Sequence, residues 1–184
     1  PTPMMRQYLE LKEKYQDCIL FFRLGDFYEM FSDDAKLASK ELELTLTGKD
    51  CGLSERAPMC GVPYHAASAY ISRLIEKGYK VAVCEQLTDP ALSKGLVERD
   101  VIRIVTPGTV ADPSQLDEKS ACYVLCVAFV GKAAALAYAD VSTGELIAHL
   151  LNDAQRTLRD ELMRIRPREI VTNDMSKLTP HLGE

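Results

Sequence analysis

The apolar run CILFFRL at residues 18–24 stops at Gly25-Asp26 and resumes in Phe27-Tyr28-Glu29-Met30-Phe31. An apolar run of this length ending at a turn pair predicts a buried strand, a two-residue hairpin of type I′ or II′, and a second strand. Side chains alternate along a strand, so Phe27 and Glu29 emerge on one face while Tyr28 and Met30 take the other. A flat ring and a carboxylate are thereby presented together just beyond a tight turn. An ordinary half-buried strand, with its ring in the core and its acid in water, has the same pattern, so this stretch alone does not separate a structural role from a functional one.

The flanking patterns predict helices packed on that hairpin. Thr2-Pro3 reads as an N-cap followed by proline at the first helical position, and Met4, Met5, Tyr8, Leu9, Leu11 and Tyr15 follow at helical spacing. Ser32 is positioned to cap a second helix, with Asp33 and Asp34 at its positive end and Ala35, Leu37, Ala38 and Leu42 as its apolar stripe. Residues 44–47 alternate briefly like a strand, and residues 48–58 read as a polar loop holding Lys49 and Arg56. In the next stretch, PMCGVPYH, Gly61 permits a close backbone approach and Pro63 argues against a central strand. Residues 66–77 form an amphipathic helix stopped by Gly78, and residues 79–86 and 101–105 read as strands.

Residues 106–115, TPGTVADPSQ, have the composition of a linker, and the texture changes beyond them. Residues 121–130, 133–141 and 145–151 are strand candidates joined by Gly131-Lys132 and Ser142-Thr143-Gly144 turns. Asn152-Asp153 can cap a helix over residues 154–165, and residues 168–172 would be another strand. The order is βββαβ and then ends, which suggests a second domain cut before its last crossover. The whole is a mixed α/β chain of α+β type, with a first domain over 1–107, a linker over 108–118 and a second domain over 119–184.

Composition narrows the function classes. A chain of 184 residues, 47% hydrophobic and 27% charged, can bury one core or two small ones without staples. No apolar run reaches the roughly 18 residues that cross a bilayer and no signal-peptide pattern opens the chain, so the cytoplasm is the expected compartment and no membrane is involved. The six cysteines form no C-x-x-C pair, and most sit in apolar runs, which fits buried reduced thiols better than zinc ligands or disulfides. The net charge is −5, with 14 Lys/Arg against 16 Asp/Glu in residues 1–107 and 8 against 11 in the remainder. Strong nonspecific nucleic-acid binding rests on phosphate neutralisation and is disfavoured, so any nucleic-acid contact must depend on local placement.

Three other groups are candidates for chemistry. Lys94, Arg99 and Arg103 are either solvated charges or phosphate contacts. Cys60 with His65 is a possible nucleophile and base, though no third orienting group is near in sequence. Asp140, followed by Ser-Thr-Gly, looks like the opening of an RNase H-like nuclease, but Glu145, Asp160 and Glu161 make poor companions for a two-metal site.

Read in order, GDFYEMF, PMCGVPYHA, VAVCEQ, SKG, RIVTPGT and DVSTGE resemble the N-terminal part of the bacterial MutS mismatch-repair family, and the resemblance spans essentially the whole chain. It implies a small mixed-sheet mismatch-recognition domain followed by a truncated connector domain with an RNase H-like fold. It implies that Phe27 stacks on one base of a mispair from the minor groove while Glu29 hydrogen-bonds that base. An apolar wedge unstacks a base step at a cost of a few kcal/mol, least where pairing is already defective, so deformability is what is read. Glu29 would carry a proton part of the time in the groove, because phosphates and lost solvation disfavour its charge. Thr47, Lys49, Met59, Gly61, Lys94 and Arg99 match family positions near DNA. The resemblance further implies mismatched double-stranded DNA and a MutL-type protein as partners and a homodimeric parent. ATP and Mg would belong to a part of the parent outside this chain, which holds no G-x-x-x-x-G-K-[ST] and is expected to bind no cofactor and catalyse nothing. The rival readings are an RNase H-like nuclease and a protein-docking module.

Overall fold

Thr2 caps the first helix as its sequence requires: its Oγ1 accepts from Met5 N at 3.3 Å, ahead of α1 over Pro3–Lys14. The structure is a computed structural model and describes residues 1–88, 96–109 and 122–182. It divides into two units, Pro1–Thr106 and Pro107–Glu184.

In the first unit, β1 (Cys18–Leu24) and β2 (Phe27–Phe31) form the expected hairpin. Gly25 has a φ of +57°, whereas Asp26 stays out of the left-handed region, the pattern of a type II′ rather than a type I′ turn. Then follow α2 (Ser32–Leu42), β3 (Thr47–Lys49), β4 (Ala57–Pro63), α3 (Ala67–Glu76), β5 (Lys80–Gln86) and β6 (Arg99–Val105). The strands make one sheet in the order β3-β4-β2-β1-β5-β6, in which only β1 and β5 are parallel.

Alternation along these strands sorts their side chains onto two faces. Ile19, Phe21, Tyr28, Met30, Cys60, Val62, Val81 and Val83 share one face, and α2 and α3 cover it with Ala35, Ala38, Ile71 and Leu74, all buried. On the other face α1 lays Met5, Tyr8 and Leu11 over Leu20, Phe22, Phe31, Ala82 and Cys84. Each large side chain sealed this way contributes about 1.5–3 kcal/mol. Asp34 is buried between the layers and holds them in register, accepting from Leu20 N at 2.9 Å and Tyr8 Oη at 3.3 Å and pairing with Lys12 Nζ at 2.9 Å.

Two local expectations are corrected. Ser32 makes no capping bond; it sits at the helix start with a φ of +54°, and Phe31 occupies the cap position. Part of the stretch expected to be polar loop is instead a strand pair, with Thr47 opposite Met59 and Lys49 opposite Ala57. β4 is therefore internal to the sheet despite Pro63, which is tolerated because β3 pairs with it only as far as Met59, leaving the Pro63 nitrogen on an unpaired edge.

The second unit follows the order expected: β7 (Tyr123–Val130), β8 (Ala133–Asp140), β9 (Glu145–Leu151), α4 (Ala154–Ile165), β10 (Glu169–Thr172) and α5 (Met175–Leu178). Its sheet runs β10-β7-β8-β9, with β10 parallel to β7. Leu125, Val127, Phe129, Leu136 and Tyr138 pack on Leu158, Leu162 and Ile165 of α4. On the opposite face Cys126, Val130, Leu146 and Leu150 are exposed. Asp153 occupies the cap position of α4 without a side-chain capping bond. Five of the six cysteines are buried and all are free thiols; the exception in burial is Cys126.

Candidate nucleic-acid interface

Phe27 begins β2 and is 47% exposed, while Tyr28 beside it is 6% exposed, so the ring stands clear of a strand whose neighbouring side chain is sealed. The turn beneath it is braced from both sides. Tyr64 N donates to Asp26 O at 2.9 Å, and the Arg23 guanidinium lies 3.8 Å from the centre of the Tyr64 ring. Arg23 also reaches Glu85 at 3.5 Å, and Glu85 accepts a hydrogen bond from the Tyr28 hydroxyl. Burial, reinforced by that carboxylate, pushes the Tyr28 phenol up to about 12, so it remains a donor at neutral pH.

Glu29 lies two residues on, opposite Gly61 of β4. A Cβ at Gly61 would stand 3.2 Å from Tyr28 O and 3.6 Å from Glu29 Cγ, so the glycine leaves the acid room to turn along the sheet. There the Glu29 carboxylate meets Lys49 Nζ at 2.6 Å, with side-chain exposures of 15% and 34%. A lysine from β3 thus supplies the counter-charge to Glu29. Thr47 is exposed and donates to Met59 O at 3.2 Å, which closes the row Thr47–Met59–Phe31 across the three strands. Phe27, Glu29, Thr47, Lys49, Met59 and Gly61 thus belong to three adjacent strands, β2, β4 and β3.

MutS domain I matches residues 2–114, and MutS domain II matches residues 122–180. The chain belongs to the MutS family. The protein called DNA mismatch repair protein MutS in Acetivibrio thermocellus is 61% identical over 94% of the chain, which covers 20% of that relative. Its namesake in Ruminiclostridium cellulolyticum is 58% identical over 94% of the chain and 20% of its own length, and the one in Clostridium botulinum strain Hall is 57% identical over 96% and 19%. The chain therefore spans about a fifth of the length of these relatives.

Within the MutS-type first unit, Arg99 corrects the sequence reading. It was expected to meet phosphate, but it is 8% exposed and its guanidinium is spent inside the protein. Nε donates to Arg23 O at 2.8 Å, and one terminal nitrogen donates to Gln7 Oε1 at 3.1 Å and Val97 O at 2.9 Å. Burial lowers its affinity for the proton, and the face of Phe22 lies 5.2 Å away. Arg99 therefore ties α1 to the sheet. Lys94 lies outside the described residues. The brace of Arg23, Tyr64 and Glu85 was missed, because its members come from three separate stretches and none forms a motif with another.

The other candidate chemistries find little support. Cys60 is buried against Ala35 O, and burial pushes its thiol up to about 11, the opposite of an activated nucleophile. His65 packs edge-on to Tyr64. Asp140 accepts from Ser142 Oγ at 2.6 Å and Ser142 N at 2.9 Å, bonds that hold its carboxyl below the usual range and engage it in shaping its own turn. Among the described residues no group of three His, Cys, Asp or Glu could hold a metal ion. None of their helices is long and apolar enough to cross a membrane.

Proposed function

We propose that the first unit recognises mispaired double-stranded DNA for mismatch repair, inserting the Phe27 ring into the minor groove while Glu29 meets the displaced base. The observation that carries the reading is the half-exposed ring at the head of a strand that is otherwise largely buried, supported by the MutS domain I match over the same residues. The minor groove offers little base identity, so a wedge that tests deformability works in any sequence context. The Glu29–Lys49 pair lets an acid approach phosphates with its charge already compensated. Thr47, Met59 and Gly61 form the sheet surface beside it. In this reading the second unit passes the bound state to a MutL-type partner, the parent is a cytoplasmic homodimer, and ATP and Mg are handled by a part of the longer protein outside this chain. The chain itself then binds and does not catalyse.

The test is fluorescence anisotropy of the full-length parent carrying Phe27→Ala, on matched and mismatched duplexes. The preference for the mispair should fall to within about twofold of matched DNA, because the energy difference between deforming the two duplexes is no longer sampled. A preference that survives the substitution would place recognition elsewhere.

A further inference from the structure

We propose that the second unit carries a binding site for a small, multiply charged phosphate ligand, independent of the wedge. The site is a cavity of about 600 Å³ where β7 ends, lined by Lys132 of the β7–β8 turn, Arg156, Arg159 and Asp160 of α4, and Lys177 and His181 beyond β10. Its floor is tied down by Asn173, which accepts from Phe129 N at 2.9 Å and donates to Phe129 O at 3.2 Å, pinning the end of β10 to the end of β7. These are parallel neighbours, so both strands end at the same edge of the sheet, where the cavity opens.

Charge is the reason to expect an anion. Residues 107–184 hold 8 Lys/Arg against 11 Asp/Glu, yet among the described residues four cations and one acid line this cavity. Lys132, Arg156 and Arg159 have no carboxylate within 4.0 Å among the described residues; Lys177 alone is shared, with Asp174 at 3.6 Å. Like charges crowded around a concave wall repel one another and focus a positive field into it, and a polyanion relieves both. Arg156 and Arg159 stand three apart on α4 and so share a face, where two planar forks can each grip phosphate oxygens in pairs while Lys132 supplies a point charge. With four cations and one acid, a net of three positive charges favours a di- or triphosphate over a single carboxylate. The volume is that of a small-molecule site, and a concave pocket this size excludes a duplex, which needs a ridge or an open groove. Phe129 and Pro180 supply an apolar wall against which an organic body could lie.

The test is calorimetric titration of the chain with sodium tripolyphosphate, without divalent metal, in about 50 mM salt, where screening is modest. Arg156→Gln/Arg159→Gln is the principal variant, Lys132→Gln on the β7–β8 turn is the second, and Lys36→Gln on α2 of the first unit is the surface-charge control. Binding with a Kd below about 1 mM is expected, weakened about tenfold or more in the double variant, severalfold in Lys132→Gln, and unchanged in the control. A nucleoside triphosphate that binds tighter than tripolyphosphate would identify the ligand as a nucleotide; equal affinity would identify phosphate alone as what is read. No binding up to about 10 mM, or binding that neither cavity variant alters, overturns the proposal. So does duplex DNA binding that depends on Arg156 and Arg159 while tripolyphosphate fails to bind.

Discussion

Replacing Lys49 with Met would leave the Glu29 carboxylate largely covered by protein and without the cation it pairs with among the described residues, a contact of 2.6 Å in the native chain. Two unit charges 4 Å apart interact by about 1 kcal/mol in water and about 4 kcal/mol at the effective dielectric typical of protein surfaces. The acid is mostly covered and the ammonium a third exposed, so the pair lies between these limits and should be coupled by about 1.5 kcal/mol, above the ~0.2–1 kcal/mol of open surface pairs. A cycle of Lys49→Met, Glu29→Gln and the double variant, followed by urea unfolding, should show each single change costing about 1–2 kcal/mol and the pair costing clearly less than their sum. The same cycle on mismatched duplex separates two roles for Lys49. If the lysine compensates Glu29, Lys49→Met weakens binding about tenfold because a bare carboxylate now faces phosphates, and adding Glu29→Gln restores most of the loss. If the lysine is an ordinary phosphate contact, the second substitution rescues nothing. Additivity within about 0.3 kcal/mol in both assays would refute the idea that the two side chains act as one unit.

Arg99→Met should cost about 1–3 kcal/mol in urea unfolding, because it strips hydrogen bonds from part-buried acceptors on Arg23, Gln7 and Val97; a loss under about 0.5 kcal/mol would mean the inward guanidinium contributes little. The Asp140 carboxyl, held down by Ser142, stabilises the fold above the unfolded carboxylate value of about 3.9, and that contribution disappears as pH falls through its lowered native value. Ser142→Ala should therefore be less stable than the native chain at pH 6, with the gap closing in acid. A gap that stays constant from about pH 6 to 2.5 would show that the serine acts by packing alone.

Most of the first unit's order was legible in the chain, from the proline-led first helix to the Gly25-Asp26 hairpin, because turns, caps and alternation are set by neighbours in sequence. The second unit's βββαβ order was legible for the same reason. The strand pair at Thr47–Lys49 and Ala57–Pro63 was not, since a three-residue strand has almost no period of its own and exists only where a partner offers its edge. Ser32 failed as a cap because the turn out of β2 forces its backbone into the left-handed region before the helix begins.

The sequence by itself determined that Phe27 and Glu29 share a face beyond a tight turn, because a two-residue period leaves no other arrangement. Only the tertiary structure decided which charges around them are available. Lys49 finds Glu29 across twenty positions of sequence, Arg99 turns inward to join a helix and two backbone oxygens, and four cations of the second unit collect around one cavity. A charge reads the same in sequence whether it faces water, a partner or a ligand; its surroundings are set by chain segments far away, and those are fixed only when the sheets and helices pack.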